Sequence, residues 1–246
     1  MDKSAIFEAA SSGLSSVPFD WMPATGSHPL AFEDPALLWL ESHGKTFGFV
    51  EDDHTPYEFV DFIRGKGRQF ERKWLTEMAP GSVPVCKKPH EVKSADKLRR
   101  TLELIDSGEP VIVAPALWWA PERVYGVPDL IARASWIRKH LPELGDLVGA
   151  LDLYVVLDLK FTTELDTTRK KQDLANYSAQ VSIYSYMLGQ LQGAIPSTAY
   201  LVSRDRVSNP LPVPISSSVG SPIDADLATL REKYLDIKLN GAAYRP

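Results

Sequence analysis

Cysteine is almost missing: Cys86 is the only one in 246 residues. That excludes an internal disulfide framework and any zinc or iron–sulfur centre built on several cysteines. No apolar run reaches the roughly eighteen residues that a membrane-spanning helix needs. The opening MDKSAIFEAASSG lacks the apolar stretch of a signal peptide. Together these absences predict a cytoplasmic protein with no membrane association. Positive charge is not in excess either, since 27 Lys+Arg stand against 32 Asp+Glu for a formal net charge of −5. A uniformly basic nucleic-acid coat is therefore excluded. No G-x-x-x-x-G-K-[ST] loop marks a nucleotide-driven motor, no G-x-S-x-G elbow a serine hydrolase, and no glycine fingerprint a dinucleotide enzyme. The five histidines are scattered, with no H-E-x-x-H pairing for a zinc hydrolase.

Basic residues are nonetheless clustered. Arg64, Lys66, Arg68, Arg72 and Lys73 form one group, Lys93, Lys97, Arg99 and Arg100 a second, and Arg169, Lys170 and Lys171 a third. Each group reads either as a solvated helix face or as a local contact for DNA.

Periodicity predicts an α/β protein, a sheet sandwiched by helices. Residues 1–30, rich in Ser, Pro and Gly, read as irregular. DPALLWLESHG reads as a short helix begun by Asp34 and Pro35 and ended by Gly44. A longer helix over PYEFVDFIRGKGRQFERKWLTEM follows, with a bend expected near Gly65 and Gly67. SADKLRRTLELIDSG reads as a helix capped by Ser94 and stopped by Gly108. Four strands are then expected: PVIVAPALWW, RVYGVPDLIAR, LYVVLDLKF and STAYLVS. A helical insertion over 135–149 separates the second from the third. A long helix near 170–192 separates the third from the fourth, with Leu174, Tyr177, Val181, Tyr184, Leu188 and Leu191 on one stripe. A Ser/Pro-rich loop leads to a last helix, DADLATLREKYLDIK.

The third strand poses a physical question. Alternate residues of a strand share a face, so Val155, Leu157, Leu159 and Phe161 make one apolar face. Tyr154, Val156, Asp158 and Lys160 make the other. Asp and Lys are rarely buried without partners. They form either a structural ion pair or part of a site that needs an anion and a cation side by side.

Other polar residues sit on apolar elements. Asp129 follows Gly126 in GVPDLIAR and reads as a turn residue or a ligand. Glu71 shares a helical stripe with Leu75 and Met78, and reads as a surface pair or a core-facing carboxylate. Gln180 and Tyr184 are four apart on one helix face. Trp118 and Trp119 are either a buried pair or stacking surfaces for bases. Two aspartates and a glutamate supply the hard oxygen ligands that Mg²⁺ or Mn²⁺ prefers. Such ions promote phosphodiester hydrolysis, and a lysine beside them can orient a water or stabilise charge.

The order of these residues resembles the PD-(D/E)XK nuclease superfamily, and within it the RecB-type nucleases. The motifs stand here as GKGRQFERKWL, VYGVPDLI, VVLDLKF and QVSIYSYMLGQLQG, and the likeness spans roughly residues 30–205. The resemblance implies a restriction-endonuclease-like core of helix, three strands, helix and strand, preceded by extra helices. It implies a single nuclease domain over 31–246, with the 135–149 insertion in a hairpin. Glu71, Asp129 and Asp158 would be metal ligands for Mg²⁺ or Mn²⁺, and Lys160 the catalytic lysine. Gln180 and Tyr184 would position the phosphate backbone or the ligand network. The implied activity is a DNA nuclease, an exonuclease more than an endonuclease, acting on single-stranded DNA or double-stranded ends in DNA processing, repair or recombination. Relatives with an iron–sulfur cluster need cysteines that this chain lacks, and any helicase or recombination partner would be a separate protein. The alternative is a non-catalytic nucleic-acid-binding or assembly protein that keeps the fold.

Overall fold

The computed structural model describes residues 3–26, 35–49, 57–165, 167–168, 171–215 and 222–241. In chain order its elements begin with α1 (Lys3–Ser11), β1 (Met22–Pro23), α2 (Pro35–His43), α3 (Tyr57–Met78) and α4 (Ala95–Ser107). Then come β2 (Val111–Val113), β3 (Leu117–Trp119), β4 (Val124–Gly126), β5 (Leu130–Arg133) and α5 (Ala134–His140). The chain continues with β6 (Tyr154–Lys160), α6 (Lys171–Gln192), β7 (Thr198–Ser203), β8 (Leu211–Pro214) and α7 (Pro222–Leu239). The expected cap Asp34, the opening Pro56 of the long helix, Arg169 and Lys170 lie outside the described residues, as do residues 242–246.

The architecture is α/β. A mixed sheet runs in the order β2-β5-β6-β7-β8, and a smaller one in the order β1-β4-β3. β6 lies in the middle of the larger sheet, antiparallel to β5 and parallel to β7. Both of its faces are covered, and the alternation of its residues decides which helices cover them. Val155, Leu157 and Leu159 pack with Trp74 of α3 and with Ile137, Leu141 and Leu144 around α5. Tyr154 and Val156 point the other way, into a cluster with Val181, Tyr184 and Met187 of α6 and Leu98 and Leu102 of α4. Asp158 and Lys160 share this second face, so they point at α6.

Two expected strands are each cut in half. β2 and β3 are separated at Ala114 and Pro115, where Ala114 takes a left-handed conformation, φ 46°. β4 and β5 are separated by Val127, Pro128 and Asp129. A proline cannot donate to a ladder, and here each break passes the chain from one sheet to the other. The first halves and second halves therefore belong to different layers.

The structure departs from the sequence pattern elsewhere too. Residues 1–30 are not wholly irregular, because α1 forms and places Ala10 in the core with Ile6 and Phe7 against it. Its end falls at Ser12 and Gly13, both at positive φ. β8 arises inside the Ser/Pro-rich stretch expected to be a loop. Pro212 and Pro214 are tolerated because, among the described residues, β8 is an edge strand paired on one side only, with β7. α3 runs unbroken through Gly65 and Gly67. Ser94 precedes α4 without making a side-chain cap, whereas Gly108 closes that helix in the left-handed region, φ 73°. The segment over 135–149 holds only the short α5 and a 3-10 turn, and it packs onto the sheet through Ile137 and Leu144. Trp118 is fully buried, with its indole N–H donated to Val92 O at 2.6 Å, so it offers no stacking surface.

Leu157 is fully buried at the centre of the larger sheet. Leu157→Ala is expected to cost about 2–5 kcal/mol, read from urea unfolding of the purified protein with the denaturant slope unchanged.

Candidate active site

The pairing of β5 with β6 sets the site. Arg133 stands opposite Tyr154 and Leu130 opposite Leu157. One step further along the same register places Asp129 beside Asp158. The strand break at Pro128 leaves Asp129 outside the β5–β6 ladder, and its carboxylate accepts the Leu159 N–H at 2.5 Å. Its own carbonyl accepts from Ala114 N at 2.7 Å, at the break in the neighbouring strand. The two aspartates thus come together although the segment containing α5 lies between them in sequence.

Asp158 is 2% exposed. Lys160, on the same face of β6, brings its Nζ to 2.5 Å from Asp158 Oδ2. That contact is a close ion pair in which the ammonium also hydrogen-bonds the carboxylate. The lysine's second contacts come from α6. Nζ donates to Gln180 Oε1 at 3.2 Å and lies 4.5 Å from the centroid of the Tyr177 ring. Gln180 Nε2 donates in turn to the Tyr184 hydroxyl at 2.9 Å, which also accepts the Val127 N–H. One helix face therefore holds Lys160 through Tyr177, Gln180 and Tyr184, which are spaced i, i+3 and i+7.

Gly126 makes room for this arrangement. A Cβ there would meet the Tyr184 ring at 2.4 Å and Ala24 Cβ at 3.1 Å. Glycine is thus a matter of clearance at this position, and the Gly126–Asp129 spacing joins that clearance to the carboxylate three residues on.

The electrostatics show crowding of negative charge. Burial, then the charge of Asp158, pushes the Asp129 carboxyl well above its ordinary range; Lys160 opposes the rise and Glu71 adds to it. Glu71, on α3, is raised first by burial and next by Asp158, with Arg72 pulling it down. Burial alone would lower the Lys160 ammonium, but Asp158 and Asp129 outweigh it, and the net shift is upward. Lys160 is therefore a cation at neutral pH. Burial and then Asp158 raise the Tyr184 hydroxyl, which stays protonated.

Glu71, Asp129, Asp158, Lys160, Gln180 and Tyr184 are all brought to one end of the sheet. Tyr177 joins them; it stood on the expected stripe of the long helix, where nothing distinguished it from a packing residue. Among the described residues no group of three His, Cys, Asp or Glu side chains is close enough to hold a metal ion as it stands. The donor set suits Mg²⁺ or Mn²⁺ in kind: all three side chains offer oxygen, and the charge of Asp158 raises both of the others. A groove of 520 Å³ opens beside Glu71, bordered by Arg68, Arg72, Thr76 and Lys87.

No family model matches the chain, and no curated protein matches it. Among solved structures, the crystal structure of SSO0001 aligns over 81% of this chain and 84% of that one at 15% identity, with a TM-score of 0.30. A likeness this low carries no argument about fold or function.

Raised carboxyls bind extra protons in the folded state, so folding stability falls as pH rises through the interval between their unfolded and folded values. Asp129→Asn should therefore make the metal-free protein more stable near neutral pH. The gain should shrink as the pH falls to about 4, near the unfolded carboxylate range. Urea unfolding of both proteins in EDTA across that interval checks the sign.

Proposed function

We propose that this chain is a metal-dependent nuclease of RecB type, hydrolysing phosphodiester bonds in DNA with Mg²⁺ or Mn²⁺. The observation that carries the reading is the register that sets Asp129 beside Asp158, with Lys160 on the same strand and Glu71 within electrostatic reach. The helix and strand arrangement is compatible with a restriction-endonuclease-like core: α4, the strands around β6, α6 and then β7 follow the order that such a core requires.

Glu71, Asp129 and Asp158 would hold the ion. When bound, it would neutralise phosphate charge, lower the pKa of a bound water and stabilise the leaving oxygen. The protein's own residues do the rest. Lys160, kept as an ammonium by its carboxylate neighbours, donates to a phosphate oxygen and stabilises negative charge that develops there. It acts as an electrostatic group, since its raised pKa makes it a poor base. Gln180 fixes the lysine's direction by accepting a hydrogen bond from its ammonium, and Tyr184 fixes Gln180. Tyr177 covers the ammonium and limits its access to water. The activity is expected to be exonucleolytic, acting on single strands or duplex ends in DNA processing, with any helicase supplied by a partner.

A second reading has one observation in its favour. The Asp158–Lys160 pair is already closed at 2.5 Å, as in a structural ion pair of a non-catalytic nucleic-acid-binding or assembly protein. The two readings part on Lys160→Met. Breaking a buried structural pair costs roughly 3–5 kcal/mol, whereas loss of an electrostatic catalyst lowers turnover by about two or more orders of magnitude and, with Mg²⁺ or Mn²⁺ present to compensate Asp158, spares the fold. The nuclease reading expects end-labelled linear DNA to be digested with Mg²⁺ or Mn²⁺, to survive in EDTA, and to be digested far more slowly by a stably folded Lys160→Met. Undiminished digestion in EDTA, or no digestion of any DNA form with either ion, contradicts it.

A further inference from the structure

A second groove lies on the other side of α3 from the one beside Glu71. It measures 340 Å³, and Phe70, Trp74 and Phe161 form much of its wall, with Lys66, Lys73 and Arg204 at its rim. Its position follows from the strands. Phe161 comes directly after Lys160, and Arg204 directly after Ser203, which is the register partner of Lys160. Two parallel interior strands thus deliver an aromatic ring and a guanidinium to the end of the sheet that carries the lysine.

The groups are arranged as a platform. The Arg204 guanidinium lies 4.8 Å from the Phe161 ring centroid, and the Phe70 ring packs 6.2 Å from the same ring. Arg204 is exposed, so its guanidinium is within reach of solvent and of a ligand. The rim cations are only weakly neutralised. Lys73 has Glu77 at 3.9 Å, and Lys66 donates to the neutral Gln69 at 3.4 Å. The stripe continues one turn along α3, where Phe62 is 57% exposed with Lys66 Nζ 5.4 Å from its ring centroid. A protein of net charge −5 has gathered cations along one line with the half-buried Phe70 and Phe161 and the exposed Phe62.

Cations spaced along a groove suit an anionic backbone, and exposed planar faces suit unpaired bases. Duplex DNA buries its base faces, so it can use the cations but not the platform. We propose that this groove is a binding subsite for single-stranded nucleic acid, with a base stacked on Arg204 over Phe161 and the backbone along Lys66 and Lys73. The subsite rests on the nuclease reading only in its purpose, which is to lead a strand to Lys160; binding itself needs none of the carboxylates.

The test is fluorescence anisotropy of a labelled oligothymidylate and of a duplex of equal length, both in EDTA so that turnover does not interfere. Wild type, Arg204→Ala, Arg204→Lys and Lys66→Ala/Lys73→Ala are compared, all at exposed positions that should leave the fold intact. The single strand should bind more tightly than the duplex. Arg204→Ala and the double variant should each weaken single-strand binding about tenfold or more. Arg204→Lys, which keeps the charge and loses the plane, should recover only part of the loss. Unchanged single-strand affinity in Arg204→Ala overturns the subsite, as does absence of oligothymidylate binding by wild type, which would leave the apolar stripe to a protein partner. Cleavage by wild type, assayed separately with Mn²⁺, tells the two ideas apart. A cleaving enzyme indifferent to Arg204 loses the subsite and keeps the nuclease. A protein that binds through Arg204 and never cleaves keeps the subsite and loses the nuclease.

Discussion

The site is organised around one buried carboxylate. Asp158 sits on the central strand with both faces of the sheet covered, at 2% exposure. An ion taken out of water at such a place requires compensation, or it neutralises. Lys160 provides one cation, and that lysine is in turn held by Gln180 and Tyr177 of α6. Holding Gln180 requires Tyr184, and seating Tyr184 requires a residue without a Cβ at 126. The chain of dependence starts from a single charge and reaches two sheets and a helix.

Compensation is incomplete. Asp129 and Glu71 add carboxyl groups to the same end of the sheet, each raised in pKa first by burial and then by the charge of Asp158. One ammonium faces three carboxyl groups. A fold selected for stability alone has no use for such crowding, because replacing buried ions by apolar groups is often neutral or favourable. A divalent cation would relieve the repulsion proposed here to serve catalysis, and perturbed carboxylates are enriched at functional sites. The same end of the sheet carries Phe161 and Arg204, so the strands that position the charged centre also position its surroundings.

Much of this was legible in the sequence where periodicity carries the signal. The alternation in YVVLDLK placed Asp158 and Lys160 on one face, and the i, i+4 spacing placed Gln180 with Tyr184. What periodicity cannot show is where a strand changes sheets. PVIVAPALWW and RVYGVPDLIAR each look continuous, yet Pro115 and Pro128 mark transfers between layers, and the second of them leaves Asp129 outside the ladder. The clearance at Gly126 is likewise a tertiary fact, fixed by a ring from α6 far away in sequence. Tyr177 was visible as a stripe residue, but its role over the lysine depends on how deeply β6 and α6 pack. α1 and β8 were hidden by composition, since Ser, Gly and Pro around them outweigh their short apolar patterns.

The central claim is that these carboxylates take up a divalent ion between them. The most direct measurement is an anomalous difference map from crystals grown with Mn²⁺. The account predicts a manganese peak bonded to Asp129 and Asp158 at about 2.2 Å, within the range for hard cations on oxygen, with the Lys160 ammonium moved off Asp158 Oδ2. A map with no peak there, and Lys160 still closed on Asp158 at saturating Mn²⁺, would contradict it and leave the pair as a structural ion pair.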